Sequence, residues 1–259
     1  MRRNHSLNQN HFKMNKFENM EKPISLEELR RQVGLSKSEW SPEFREYVER
    51  KIRDKEKAEK ELLESDTEES EDEVMEKTYA RYLKGLMLNE ADLHGKKIVD
   101  MGSGDGEFVA ALIEKGITSD VYGIDAEPGG FSEKEKYRSH FSRANFEDEP
   151  STKEADYVFS LGAITEGVWG GEERMNMKKV LKNVVDLMKK GGEARIFPIQ
   201  VPTKENPLEG LVASYLAWNK LIPEIAKDEH INWEFQPVDI NIVGRDNDIL
   251  LEEVLVLRK

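Results

Sequence analysis

Residues 96–112 read KKIVDMGSGDGEFVAAL, a short apolar run joined to an amphipathic stretch by three alternating glycines, Gly102, Gly104 and Gly106. A strand that feeds a helix through so glycine-rich a turn belongs at the carboxyl edge of a parallel sheet, where backbone and ligand approach each other closely. The rest of the chain agrees with that frame. Strand-like and helix-like segments alternate after it: DVYGIDA, HFSRANF and ADYVFSL, the helical MNMKKVLKNVVDLMKK, the strand EARIFPIQV and the helical PLEGLVASYLAWNKLIPEIAK. Two strand-like runs, WEFQPVDINIV and DILLEEVLVL, close the chain with no helix between them. Such alternation predicts an α/β fold: a doubly wound, mostly parallel seven-stranded sheet with an antiparallel edge hairpin.

A different composition precedes this region. Residues 1–24 read as a mobile tail with Met14 and Met20 as further candidate starts, and without an apolar core for a secretory signal. Residues 25–65 read as an N-terminal helical extension. SLEE makes Ser25 an N-cap with Glu28 at N3, Gly34 ends that helix, and Ser41-Pro42 opens a second one. Phe44, Val48 and Ile52 give the second helix an apolar stripe, after which RDKEKAEKELLESD is solvated charge. Residues 66–73, DTEESEDE, read as an acidic linker, and residues 74–259 as the main domain. The helix from Val74 is expected to place Met75, Tyr79, Leu83, Leu86 and Met87 on one face.

The formal net charge of −13 argues against phosphate backbones and acidic membrane surfaces as partners. No segment approaches the ~20 apolar residues of a membrane span. With no cysteine, the sequence offers neither disulfides nor thiolate metal sites nor a thiol nucleophile, and no metal is expected; a cytoplasmic location is.

The loop's own chemistry narrows the ligand. A dinucleotide fingerprint needs glycine where Glu107 stands, and no Gly-Lys-Ser/Thr ending marks a P-loop. Asp100, Asp105 and Glu107 flank the turn without a lysine or arginine before Lys115. That cluster repels a pyrophosphate and attracts a cation, as the sulfonium and ammonium of S-adenosylmethionine would supply.

DMGSGDG, residues 100–106, resembles the first motif of the class I S-adenosylmethionine-dependent methyltransferases, and four further motifs follow in that family's order. VYGIDAEP resembles the second, in which Asp125 would take the ribose hydroxyls, with Ala126 beside it and Glu127 in reserve. ANFEDEP resembles the adenine-binding segment, with Asn145 in place of the usual acidic residue and Phe146 next to it. ADYVFSLGAI resembles strand four, so Ser160, Leu161 and Gly162 would line the cofactor, and LMKKGGEARIF resembles the turn into strand five. The resemblance therefore implies S-adenosyl-L-methionine held by Asp100, Gly102, Ser103, Gly104, Gly106, Asp125, Ala126, Asn145, Phe146, Ser160 and Leu161.

The resemblance further implies transfer of a methyl group to an oxygen or nitrogen acceptor on a small molecule or a protein side chain. TEGVWGGEER, residues 165–174, follows strand four, and within it Glu166 and Trp169 are the acceptor-side candidates, Glu166 also as a weak candidate base. Tyr79 and Tyr82 are placed to cap the methionine end, while Tyr215, Trp218, His140 and His230 read as structural. Two competing readings use the same features: a protein that binds S-adenosylmethionine without transferring its methyl, as a sensor or subunit, and a nucleotide-dependent oxidoreductase, which Glu107 and the acidic loop disfavour.

Overall fold

A computed structural model of the protein describes residues 28, 31–32, 35–64, 70–150, 154–169, 172–203, 209–239 and 251–259. The tail, and most of the helix expected from Ser25, lie outside the described residues.

Seven strands form one sheet: β1 Ile98–Met101, β2 Val121–Asp125, β3 Phe141–Arg143, β4 Ala155–Leu161, β7 Met188–Val201, β8 Asn232–Val238 and β9 Leu251–Arg258. The order is β3-β2-β1-β4-β7-β9-β8. Neighbours from β3 to β7 run parallel, while β9 is antiparallel to both β7 and β8. The expected hairpin is present, but its last strand lies inside the sheet and only β8 is at the edge. The composition explains this, because LEEVLVL in β9 is buried throughout whereas Trp233 on β8 is exposed. LMKKGG, expected as a plain turn, falls at the start of β7, where its pairing with β4 shifts register between Ala155 and Tyr157. A separate two-stranded ribbon, β5 Val168–Trp169 with β6 Glu172–Glu173, lies in the segment after β4.

Helices cover both faces, and strand alternation assigns the side chains to them. Val99, Val158, Leu255 and Leu257 face α5 (Met177–Leu187) and α6 (Glu209–Asp228), packing with Val180, Leu181, Val184, Trp218 and Ile222. Their neighbours Ile98, Phe159, Val254 and Val256 face the other layer, which holds α2 (Glu71–Gly85) and α4 (Glu107–Glu114). There Tyr82 stacks on Phe108 with centroids 3.9 Å apart.

Helix α2 starts three residues earlier than the expected linker boundary. Ser70 accepts from the Glu73 N–H while the Glu73 carboxylate accepts from the Ser70 N–H, a capping box within what reads as featureless acidic sequence. Glu71, Asp72 and Glu73 then fill a first turn whose dipole favours negative charge. Met87 departs from the expected apolar face: it follows the helix end at φ 52° and is exposed, and Tyr82 takes the buried place. The short helix α3 spans Glu90–Leu93.

Helix α1 (Pro42–Glu64) begins as expected, with the Phe44 N–H donating to the Ser41 hydroxyl at 3.2 Å. Trp40, Phe44, Tyr47 and Val48 pack on Leu251 and Val201, the adjoining ends of β9 and β7. Tyr47 donates to Asp239, and Lys51 pairs with the same carboxylate at 3.0 Å. The apolar stripe therefore rests on the carboxyl end of the sheet, and the charged turns beyond Ile52 project from it. Phe44 is fully buried, so Phe44→Ala should lower stability by about 3–5 kcal/mol in urea unfolding. A loss below ~1 kcal/mol would show that this contact adds little to the folded sheet.

Candidate functional site

The carboxyl ends of β1, β2 and β4 converge on the loop Gly102–Gly106. Gly102, Gly104 and Gly106 have φ of 83°, 53° and 83°, a region that only glycine enters freely. Gly102 faces Ala163, whose Cβ would lie 2.1 Å from a Cβ built on Gly102, so the chain after β4 fits against a bare backbone. Gly104 is the opposite case, since a Cβ there would meet nothing within 4 Å. The loop thus presents open backbone at its middle and packed backbone at its first turn.

Asp125 ends β2 and holds this loop. Its Oδ2 accepts the Gly104 N–H at 2.9 Å and its Oδ1 accepts the Glu127 N–H at 2.9 Å. Each oxygen keeps further acceptor capacity for a ligand hydroxyl. Glu127, the reserve candidate, contributes its amide to orienting Asp125. The Gly102 and Ser103 N–H groups reach the Ile124 carbonyl at 2.7 and 3.3 Å, and the Phe131 N–H reaches the Asp105 carbonyl at 2.7 Å. Ser103 is almost fully buried, and its hydroxyl is the one buried side-chain polar atom without a hydrogen-bond partner among the described residues.

Beneath the loop, Asp100 has no exposed surface, and the Tyr82 hydroxyl donates to its two carboxylate oxygens at 3.1 and 3.0 Å. Burial pushes the Asp100 carboxyl up to about 7. The Tyr82 hydrogen bond opposes that rise, and the charges of Asp125 and Glu107 add to it. Burial beside this carboxyl also holds the Tyr82 phenol well above its ordinary range. Tyr79 points elsewhere, donating to Glu90 at 2.7 Å.

On the β2–β3 side, Ala126, Asn145 and Asp148 line two adjoining cavities of about 480 and 350 Å³. Phe146 lines the larger one, and its ring tip would lie 3.3 Å from a Cβ on Gly102. Asn183, buried on α5, was not singled out by sequence, yet it donates to the Phe146 and Asp148 carbonyls at 2.8 and 2.7 Å and so fixes the ANFED segment. Arg143 donates to the Ala126 carbonyl at 2.9 Å.

On the other side, past β4, Gly162, Thr165, Glu166, Arg174, Gln200 and Arg81 line a third cavity of about 380 Å³. Glu166 is exposed on the 3₁₀ turn Ile164–Gly167. Trp169 lies on β5, with its side chain outside the described residues. Trp218, read as core, is buried and also forms part of this wall. Ser160 and Leu161 are turned inward. The Ser160 hydroxyl accepts the Ile164 N–H at 3.2 Å, and Leu161 packs with Phe197 in the α2-side core. His140 contacts the Val121 carbonyl at 2.9 Å, a structural role as read from the sequence.

The strand order, with five parallel strands and an antiparallel pair that puts β9 inside β8, decides the architecture. The fold is that of the class I methyltransferases. No protein-family profile and no curated protein matches the sequence. Solved structures do. The N-methyltransferase NodS of Bradyrhizobium japonicum WM9 is 13% identical, covering 73% of this chain and 99% of that one at a TM-score of 0.47. Phosphoethanolamine N-methyltransferase 2 of Haemonchus contortus, solved with phosphomonomethylethanolamine and S-adenosylhomocysteine, is 13% identical over 74% of this chain and 60% of its own, at 0.46. Magnesium protoporphyrin IX methyltransferase of Synechocystis PCC 6803, solved with its cofactor, is 14% identical over 72% and 78%, at 0.42. All three scores lie below 0.5, so the assignment rests on strand order and direction. No helix of the described residues is long and apolar enough to cross a membrane, and no cluster of metal-ligating side chains occurs among them.

The folded state holds the Asp100 proton more tightly than an unfolded chain does, because the carboxyl rises from 3.8 to about 7 on burial. Its contribution to stability therefore falls as pH increases through that window. Asp100→Asn cannot ionise and should gain on the wild type as pH rises, by about 1.4 kcal/mol per pH unit over the window. Urea midpoints across the range test this, and parallel curves for the two proteins would exclude Asp100 as the titrating group.

Proposed function

We propose that the protein is an S-adenosylmethionine-dependent methyltransferase acting on an oxygen or nitrogen acceptor. The observation that carries this reading is the loop itself: open backbone at Gly104, tied to the Asp125 carboxylate, between cavities on its two flanks. A long ligand laid across it would span from Asn145 to Gly162 along the carboxyl ends of the strands.

The donor set suits this cofactor. Asp125 would accept the ribose hydroxyls, and Ala126, Asn145 and Phe146 would enclose the adenine. The open backbone at Gly104 would meet the amino-acid end, with Gly102 and Ser103 shaping the turn beneath it. Asp100 sits deeper and acts through charge, because a cationic ammonium above it favours its ionised form. Ser160 and Leu161 would shape the site from behind and leave the direct contact to Gly162.

When bound, S-adenosylmethionine supplies a methyl carbon on a sulfonium, which departs as a neutral thioether. The chain's task is to hold an acceptor atom in line with that carbon and to keep the approach dry, and positioning of this kind supplies several kcal/mol of acceleration. The third cavity, opening beside Gly162, is where the acceptor would sit. Glu166 is the carboxylate on its wall and would take the proton that an acceptor hydroxyl or ammonium gives up. Trp169, on β5 in the same segment, is the second acceptor-side candidate. We further propose that residues 25–65 act as a helical extension that shields the carboxyl edge, since α1 already packs on Val201, next to Gln200 of the cavity wall.

Calorimetric titration with S-adenosylmethionine, S-adenosylhomocysteine and NAD tests the cofactor. Micromolar binding of the first two and none of NAD is expected; binding of NAD alone would favour the oxidoreductase reading. Asp125→Ala should weaken S-adenosylhomocysteine by about 10- to 100-fold, as losing charged hydrogen bonds and the anchor of Gly104 predicts. Gly104→Val should fold and bind no cofactor, because its branches would occupy the open space; full affinity in that variant would place the cofactor elsewhere. Turnover against an acceptor panel separates a transferase from a protein that only binds the cofactor.

A further inference from the structure

The acceptor cavity carries a charge pattern unlike that of the chain around it. The protein has 52 acidic and 39 basic residues, yet among the described residues the charged side chains lining this cavity are Arg81, Arg174 and Glu166. The two arginines come from distant parts of the sequence, α2 and the segment after β6, and only the folded chain brings them to one wall.

Their side chains are unengaged. Of the other described arginines, Arg195 and Arg258 share Glu193, Arg31 pairs with Glu28, Arg50 lies over the Tyr47 ring, and Arg45, Arg138 and Arg143 donate to backbone carbonyls, while Arg53, outside the cavity, makes no such contact. Neither Arg81 nor Arg174 makes a side-chain hydrogen bond or an ion pair among the described residues. Their backbones, however, are held. The Arg174 N–H donates to the Gly167 carbonyl at 2.8 Å, closing the β5–β6 segment. Arg81 precedes Tyr82, which is locked on Phe108 and Asp100. Two residues with anchored backbones thus line one space of about 380 Å³, with Gln200 and Ser214 as neutral neighbours.

A planar guanidinium offers a fork of donors that matches a carboxylate or phosphate, and two arginines lining one cavity suit a single doubly gripped anion. We infer that the methyl acceptor is a small molecule bearing a carboxylate or phosphate group, which Arg81 and Arg174 hold while its nucleophilic atom is turned toward Gly162 and Glu166. Glu166 gives the site polarity: it repels the anionic end and accepts from an N–H or O–H at the other. The volume of about 380 Å³ falls within the range of small-molecule sites. This inference rests on the methyltransferase reading for the word acceptor, but not for the anion.

The test is calorimetric titration of the full chain, alone and saturated with S-adenosylhomocysteine, using inorganic phosphate and malonate as probes. At least one probe should bind the wild type, and whichever binds identifies phosphate or carboxylate as the group recognised. Arg81→Ala and Arg174→Ala should each weaken that probe by about tenfold or more, with Arg→Lys variants intermediate, while S-adenosylhomocysteine affinity stays within about twofold. Both arginines are exposed, and matching thermal unfolding will show that the variants fold. Failure of both probes to bind the wild type, or equal binding by the alanine variants, would overturn the anion site even if the cofactor binds. Arginine-dependent anion binding with no affinity for S-adenosylhomocysteine would keep the anion site and sink the methyltransferase reading instead.

Discussion

The arrangement depends on how closely the turn after β1 approaches its neighbours. Gly102 lies against Ala163, and Gly106, in the left-handed region, lies against Phe141, where a Cβ would come within 2.4 Å of the ring. Any side chain at these points would push the ends of β4 and β3 away from β1. With bare backbone, three strand ends meet, Asp125 can reach the Gly104 N–H, and the helix α4 starts directly from Gly106. Phe108 is then placed to stack on Tyr82, whose hydroxyl caps the buried Asp100. One backbone constraint therefore links the Gly102–Gly106 loop, the α2–α4 layer and the buried carboxyl below them.

Burying Asp100 costs stability, and the surroundings only partly offset that cost. A single phenol shared between two carboxylate oxygens is weak satisfaction for a charge without solvent exposure, so the group stays protonated until about pH 7. Perturbed carboxyls of this kind cluster at functional sites. The orphan Ser103 hydroxyl belongs to the same pattern. The cavity beside Gly162 is lined by two arginines, Arg81 and Arg174, together with Glu166.

The parts of the fold carried by local pattern were readable. The first strand, its glycine turn and its helix occupy consecutive residues, so periodicity and turn chemistry identify them together. Asp125 was readable for the same reason, as the acidic residue ending β2. Misplaced residues sit where local signals compete. Ser70 lies in acidic low-complexity sequence that hides its capping box, and Met87 continues an apolar stripe past the point where the helix ends. At the end of β4 the Ser160 hydroxyl accepts the Ile164 N–H four residues later, a contact that no local pattern announces.

By itself, the sequence determined the alternation of strands and helices, the glycine turn and the acidic character of the ligand loop. Those properties belong to neighbouring residues, and local sterics and charge fix them before the chain is compact. Tertiary structure alone decided what depends on residues far apart meeting. It inserted β9 between β7 and β8 because burial on both faces rewards the more apolar strand. It seated the stripe of α1 on Val201 and Leu251, and it tied the ANFED segment down through Asn183. It also turned Arg81 and Arg174 into one wall. Arg81 has no motif around it, and Arg174 ends the TEGVWGGEER segment without standing out there, since what they offer together exists only once two distant backbones hold them over the same cavity.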